Sequence, residues 1–538
     1  MPKVTMIYGG PGTGKTHALL NELEERLKTT PAKEIAYVSF TRQGTYQGVD
    51  LAKEKFDLTD DDCYYFKTLH SLAYHCLDIS ADKLIGLNDL RPMIDKLGLT
   101  VGQFASIEQE LGIAKNKAKE PELVNNGTTL GQQRLTKEVY EEYKNLVRKL
   151  DYTDLLLLVK EQHVKIPVKI AFIDEAQDLT TLQWQVVWQF FMDAEELIVA
   201  GDPNQAIFEW AGADVGYFLK MHTDEQRVLE KSYRCSQAVW NLAKSVYACI
   251  KEKAPIPDKG TDTVGFAIVA NNTELPINYM LSMAHKGSTY CLAMQNTYLD
   301  KYIEACYTYG LPYAIKTNGR VNHCIRPDVL KYFKQIVKTI IDPILFDTYI
   351  TNNNKHPRSD SRATRRIKEH FAKDGIPQWN FANTAEVYTN IFNLALQKLH
   401  KKEEQAMLIR AVATGNILIP DDYVLITNVH QVKGGEADYV MFCDNVARMY
   451  AAQAEHDDAY CDYLLRVMYV AVTRAKIGIC VWHRNEYRTI APTYLFNSVG
   501  TFEGKQPDVI PLAEDYINNN IRLEEGNINA DNNNNPVR

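Results

Sequence analysis

Short apolar runs along the chain each hand over to a polar cluster, and the first group of them lies at residues 4–8, 35–39, 170–173 and 197–200. Their length and apolar content predict β-strands, and polar residues at the carboxyl ends of parallel strands mark the edge where such sheets bind ligands. Leu19, Leu20, Leu23 and Leu27 recur on one face of a helix predicted over 17–28. From about 76 to 150 strand-like runs give way to helical stretches and a polar loop at 116–134, which reads as an insertion. A second α/β unit begins after residue 230. Ser236 is the expected N-cap of a helix carrying Val239, Leu242, Ala243, Val246 and Ile250, and a helix over 298–309 is stopped by Gly310 and Pro312. Strands are expected again at 423–427, 439–442 and 477–482, after a polar, helical interval at 316–404. The pattern predicts an α/β protein built from two units, each interrupted once by a mainly helical insertion. The boundaries it suggests are 1–75 with 151–228, an insertion at 76–150, 229–315 with 405–510, a smaller insertion at 316–404, and a C-terminal segment at 511–538. The asparagine-rich end of that segment reads as a disordered tail.

Composition narrows the class without choosing a function. The 538 residues are 45% hydrophobic and 24% charged, ordinary for a globular protein with several cores. The net charge of −8 argues against an indiscriminate polyanion binder, although one local basic track, from Lys355 to Lys373, contains Arg358, Arg362, Arg365, Arg366 and Lys368. A solvated helix face and a nucleic-acid contact explain that track equally well. Ten cysteines are scattered without a C-x-x-C pair or a neighbouring histidine cluster, so zinc and iron–sulfur sites are not expected. No apolar run approaches a membrane span, and the first strand begins so close to Met1 that no signal peptide is expected. An intracellular protein without membrane partners is the expectation.

The chemistry begins at Gly9, Gly10, Pro11, Gly12, Thr13, Gly14, Lys15 and Thr16, a complete P-loop between a predicted strand and a predicted helix. Backbone N–H groups there suit phosphates, Lys15 reaches the β and γ oxygens, and the Thr16 hydroxyl is placed for Mg²⁺. Asp174 and Glu175 follow the strand at 170–173, where one carboxylate can hold Mg²⁺ and the other can activate water. Acids after a strand also suit a helix N-terminus. Gln205 follows the strand at 197–200 and can sense a γ-phosphate. Phe208 and Trp210, just beyond it, can stack on bases or pack in a core. Arg234 and Arg474 each follow an apolar or aromatic cluster, and triphosphate hydrolysis calls for one or two such guanidinium groups from across a cleft.

The ordered set GGPGTGKT, SFTR, TLHSLA, LDYTDLL, IDEAQD, GDPNQAIFEWAGA, SYR, HQVKGGE and YVAVTRA resembles the UvrD/Rep/PcrA-like helicases of superfamily 1, from residue 6 to about 482. The resemblance implies two RecA-like domains clamping ATP and Mg²⁺ between them, with single-stranded DNA across their top. It implies that Lys15, Thr16, Asp174, Glu175 and Gln205 come from the first domain and that Arg234 and Arg474 are fingers from the second. It further implies an adenine contact at Tyr233, a ribose contact at Glu436, and DNA contacts at Phe40, Thr41, Arg42, Thr68, His70, Phe208, Trp210, Asn296 and His430. The basic residues Arg362, Arg365 and Arg366 are additional DNA candidates.

The chain also departs from that family. No glutamine-containing segment precedes the P-loop, and His17 stands where an Arg is common, so relaxed choice of base is expected at this otherwise ATP-like site. Met294 replaces an Arg, Gly435 a Leu, and Tyr463 with Leu464 a pair of Glu residues. No strand-separating hairpin is recognisable after Trp482. The function this implies is an ATP-dependent helicase that moves 3′ to 5′ on single strands and acts at junctions with duplex. Replication, repair or recombination is the expected setting, alongside proteins of those pathways, in the cytoplasm of a bacterial or phage-infected cell. A translocase that remodels complexes without unwinding is the alternative. A non-motile P-loop switch is disfavoured, because a switch needs no paired fingers.

Overall fold

The computed structural model describes residues 1–39, 42–117, 119, 122, 126–270, 274–331, 333, 334 and 396–483. Its first sheet contains β1 (Lys3–Tyr8), β2 (Ile35–Ser39), β3 (Phe66–Thr68), β4 (Ile170–Asp174), β5 (Glu196–Gly201) and β6 (Glu225–Val228) in the order β3-β2-β4-β5-β1-β6. Every neighbouring pair in it is parallel. Such strands need crossover connections, and helices laid over both faces bury them completely. The alternation of side chains shows this directly. Met6, Val38, Ala171, Ile173, Leu197 and Val199 pack with Leu155, Leu156, Trp184 and Phe190 on one face. Ile7, Tyr37, Ile170, Phe172, Ile198 and Ala200 pack with Leu19, Leu20 and Leu23 on the other.

The second sheet contains β7 (Phe266–Ala270), β8 (Thr289–Ala293), β9 (Tyr313–Thr317), β10 (Arg320–His323), β11 (Val424–Asn428), β12 (Ala437–Cys443) and β13 (Ala475–Trp482). Their order is β10-β9-β11-β8-β12-β13-β7. The central pairs are parallel, and β9 with β10 forms an antiparallel hairpin. Asn318 and Gly319 turn that hairpin with φ of 49° and 74°, the left-handed pair a two-residue turn requires. The protein is therefore α/β with two mainly parallel sheets, the architecture of two RecA-like domains.

The chain divides into two compact units, one containing Met1–Phe266 and Arg448–Ile477, the other Ala267–Ala447 and the chain from Gly478 to the end of β13. The strand pattern alone places the change of unit near residue 229. The segments 229–266 and 448–477, with both arginine motifs, instead fall in the unit that holds the P-loop.

The interval between β3 and β4 is helical, with Leu87–Lys96, Val101–Lys117 and Leu130–Val147 sharing a core of Leu90, Ile94, Phe104, Ile107, Leu111 and Tyr140. The polar loop expected at 116–134 is shorter in the fold. Thr129 caps the last helix by accepting from the Gln132 backbone N–H at 3.2 Å, so the polar run that follows it is helical. In the second unit, Ile325, Val329, Leu330 and Phe333 pack with Leu399, Met407, Leu408 and Ala411. Ser236 does precede the helix Gln237–Cys249, but its hydroxyl donates to the Ile477 carbonyl at 2.9 Å instead of capping. Among the described residues, no helix is long and apolar enough to cross a membrane. Arg362, Arg365, Arg366 and the asparagine-rich tail lie outside the described residues.

Candidate active site

The P-loop leaves β1 and enters the helix Lys15–Leu27. Gly12 and Gly14 adopt left-handed backbone, φ 68° and 76°, which an L side chain rarely tolerates. Thr13 holds the turn by donating from both its backbone N–H and its hydroxyl to the Gly10 carbonyl, at 3.3 and 2.9 Å. The helix that follows has free N–H groups in its first turn, which favour an anion. Lys15 Nζ donates to the Gly9 carbonyl at 3.0 Å, and Thr16 is half-buried in the same turn.

Asp174 ends β4 in register with Ser39 of β2. One of its oxygens accepts from the Tyr37 hydroxyl at 2.8 Å and the other from the Glu175 backbone N–H at 2.8 Å. Burial, and then the neighbouring Glu175 charge, push the Asp174 carboxyl up to about 6. Glu175 itself takes left-handed backbone at φ 52°, a strained conformation for a residue with a side chain. Its carboxylate accepts from Gln177 Nε2, and Gln177 Oε1 accepts from the Asp202 backbone N–H at 2.9 Å. Asp202 Oδ2 then accepts from Gln205 Nε2 at 2.6 Å, and Gln205 Oε1 accepts from Arg474 Nη2 at 2.9 Å. One hydrogen-bonded path thus runs from the Glu175 carboxylate at the end of β4, past β5, to the guanidinium of Arg474.

Arg474 is fully buried and is steadied by the Val470 carbonyl at 3.0 Å and the Thr473 hydroxyl at 3.3 Å. Arg234 approaches the same corner, donating to the Thr473 carbonyl at 3.5 Å. The segment before it backs the P-loop. Ser232 Oγ donates to the Pro11 carbonyl at 2.6 Å, and the Tyr233 N–H donates to the Gly12 carbonyl at 2.8 Å. Tyr233 leaves its ring 71% exposed, with the Lys231 ammonium 5.9 Å from its centroid. His17 is exposed one residue beyond Thr16.

The expected strand contacts sit near the carboxyl ends of strands in both units. In the first, Thr68 ends β3 and caps the next helix through Ser71, while His70 lies edge-on to Tyr152 at 6.2 Å. Burial pushes the His70 imidazole down to about 4. Phe208 and Trp210 form an edge-on pair at 6.3 Å, and Trp210 is 47% exposed, which removes the core-packing alternative for it. Arg42 opens the helix Arg42–Phe56, whereas Phe40 and Thr41 lie outside the described residues. In the second unit, Asn296 follows β8 and accepts from Asn428 Nδ2 of the adjoining β11 at 2.8 Å. His430 lies just beyond, its imidazole pushed down to about 4 mainly by burial. Glu436 is exposed ahead of β12 in that same unit.

Four residues of the site carry no prediction in the sequence reading. Tyr37, Gln177, Asp202 and Ser232 are each almost wholly buried and each bonds to a P-loop or acidic-segment group. Gln177, Asp202 and Ser232 stand inside motifs already singled out, so their positions were a usable signal. Tyr37 reads as an ordinary strand aromatic, and only the register of β2 against β4 brings it to Asp174.

This geometry defines a P-loop protein built to bind a nucleoside triphosphate, with acidic and arginine groups gathered round the loop. Comparison with known proteins names the branch. Residues 1–226 match the UvrD/REP helicase N-terminal domain. The chain is similar to the ATP-dependent DNA helicase PcrA of Bacillus subtilis, 24% identical over 274 residues, covering 45% of this chain and 37% of that protein. It is also similar to a probable DNA helicase II homolog of Rickettsia felis and to DNA helicase II of Rickettsia typhi, each 28% identical across 45% of this chain and 42% of the relative. Over its first 226 residues the chain is thus similar to UvrD/REP-type helicases, and its match spans well under half the length of these curated relatives.

Proposed function

We propose that this chain hydrolyses ATP to move along single-stranded DNA in the 3′ to 5′ direction and to open duplex where the two meet. The observation that carries the reading is the hydrogen-bonded path from Glu175 through Gln177, Asp202 and Gln205 to Arg474. It joins a water-activating carboxylate, a γ-phosphate sensor and a charge-stabilising arginine, three parts that phosphoryl transfer requires together. Similarity to proteins named ATP-dependent DNA helicases points to ATP and to DNA.

In this reading the P-loop N–H groups and Lys15 hold the β and γ phosphates, and Lys15 exchanges the Gly9 carbonyl for phosphate oxygens. Thr16 and Asp174 would hold Mg²⁺. They fit it, since both offer oxygen donors and the buried Asp174 carboxyl, raised to about 6, lacks a neighbouring cation strong enough to offset its burial. The ion supplies neutralisation of phosphate charge when bound. Glu175 orients water and accepts its proton, while Arg474 and Arg234 meet the charge that develops on the γ-phosphoryl group. Tyr233 offers its exposed ring to the base, and Glu436 is the ribose contact that the resemblance implies. Phe208 and Trp210 stack on bases, with Phe40, Thr41, Arg42, Thr68, His70, Asn296 and His430 on the strand, and Arg362, Arg365 and Arg366 on nearby phosphates. Sequence-independent grip follows, as replication, repair or recombination work demands.

The test is ATP hydrolysis and strand separation with 3′-tailed, 5′-tailed and blunt duplexes, alongside Lys15→Ala as a dead control. Strand-stimulated hydrolysis and opening of the 3′-tailed substrate are expected. Hydrolysis indifferent to DNA would refute the reading, and opening of the 5′-tailed substrate alone would reverse the polarity.

A further inference from the structure

Arg466 is a cation with almost no access to water, 3% exposed on the helix Asp458–Val472. Its Nη1 donates to Glu209 Oε1 at 2.7 Å and its Nη2 to the Glu252 carbonyl at 2.8 Å. Asp462 lies 4.0 Å away, but its two oxygens already accept from the Lys251 and Glu252 backbone N–H groups at 2.8 Å each. Glu209 makes the close charge-assisted contact to Arg466, with Asp462 a more distant second counter-charge, and Lys117 also pulls on Glu209 from the insertion helix. Buried ion pairs add little net stability compared with apolar packing, so the property such a pair delivers is fixed geometry.

Where the pair sits gives that geometry a use. Glu209 stands between Phe208 and Trp210 in sequence and four positions beyond Gln205. Arg466 stands six positions before the helix ends at Val472, and Arg474 lies in the turn just beyond that end. The segment 205–210 is consequently held to the segment 466–474 at two points, Gln205 to Arg474 and Glu209 to Arg466. A single contact allows pivoting. Two contacts make the aromatic pair follow whatever displaces Arg474 from Gln205.

We propose that the Glu209–Arg466 pair is a positioning strut that carries the state of the triphosphate site to the Phe208 and Trp210 rings, coupling hydrolysis to grip on the strand. The inference rests on the function proposed above. Glu209→Gln tests it with least disturbance, because it keeps the shape and removes the charge of a residue that is not fully buried. Hydrolysis is measured with and without an oligo-dT strand, and the strand dissociation constant is measured with ADP and with a non-hydrolysable ATP analogue.

Strand-free hydrolysis should stay within a few-fold of the unmodified protein, while stimulation by the strand falls about tenfold, a typical coupling loss. The ratio of the two dissociation constants should collapse towards one. Arg466→Lys, which keeps the charge but cannot reach two acceptors in a fork, should show the same collapse, and Glu209→Asp should recover part of the ratio. Trp210→Ala should instead weaken binding equally in both nucleotide states. An unchanged ratio in Glu209→Gln, or a uniform loss of affinity like that of Trp210→Ala, overturns the inference while leaving the motor reading intact. An unmodified protein whose hydrolysis ignores the strand sinks both.

Discussion

The carboxyl edges of the two sheets carry different chemistry. At the first, the buried Asp174 and Asp202 stand beside the half-buried Lys15 and Glu175, and burial with the Glu175 charge pushes the Asp174 carboxyl up to about 6. At the second, Asn296, Asn428 and His430 present amides and an imidazole that burial keeps neutral, down at about 4. In the function proposed above, the first edge thus gathers carboxylates where the phosphoryl group reacts, while the second offers amides and a neutral imidazole flanked by the Lys316 and Lys433 side chains. Neutral hydrogen bonds are weaker than charge-assisted ones and exchange with water at little net cost. Stepping along a phosphate backbone needs that reversibility, whereas stabilising a transferring phosphoryl group does not.

Substitutions at the two edges should fail in different ways. The largest effect is expected from Glu175→Gln, which keeps the backbone and loses the proton acceptor. Turnover should fall by roughly a thousandfold, with strand binding intact in a fluorescence titration. Arg474→Ala should lower kcat by about a hundredfold or more, and it should also lower the melting temperature, because Gln205 then loses its buried partner. Trp210→Ala should cost about 1–3 kcal/mol of strand affinity, read from the dissociation constant, and leave strand-free hydrolysis unchanged.

Asp174→Asn should reverse the usual sign by raising the melting temperature of the nucleotide-free protein at pH 8 while abolishing hydrolysis. The folded Asp174 carboxyl titrates near 6 against an ordinary 3.8, so its neutral form favours folding. That contribution is present below about 3.8 and lost as pH rises through 6, leaving the full penalty at pH 8. His430 runs the other way. Its folded value of about 4 against 6.5 means that stability falls as pH drops from about 6.5 towards 4, and His430→Gln should flatten that acid limb in a melting series. The smallest effect concerns the base. With an exposed His17 after the P-loop, the kcat/KM ratio of ATP to GTP should stay below roughly a hundredfold, or about 2.7 kcal/mol.

The phosphate chemistry of the first edge is legible in the residues themselves, whereas Asn296 and His430 at the second are reached only through the resemblance. P-loop glycines, a DE pair after an apolar run and paired arginine motifs follow from the needs of phosphate chemistry, and their local patterns survive in one dimension. The strands β1, β2, β4 and β5 were legible because burial on both faces makes them continuously apolar. β6, with the residues EQRV and three exposed positions, carries no such signal, and β3 is only three residues long. The β9–β10 hairpin does have a local signature, the Asn318-Gly319 pair. Tyr37 beside Asp174, and Glu209 against Arg466, depend on pairings 137 and 257 residues apart in the chain, which no local pattern encodes. The placement of Arg474 in the unit of the P-loop likewise follows from the return of 448–477 to that unit, a topological fact and not a periodic one.

The backing of the P-loop by Ser232, Tyr233 and Arg234 bears on how this protein would be dissected genetically. A Cβ placed on Gly12 would lie 2.3 Å from the Arg234 Cβ, closer than any real contact, at a backbone angle that already resists a side chain. A substitution at Gly12 would therefore be a compound lesion, levering the arginine out of place before any nucleotide arrived, and its phenotype could not be assigned to lost binding. Lys15, whose side chain ends on a carbonyl of the loop itself, offers the cleaner null allele.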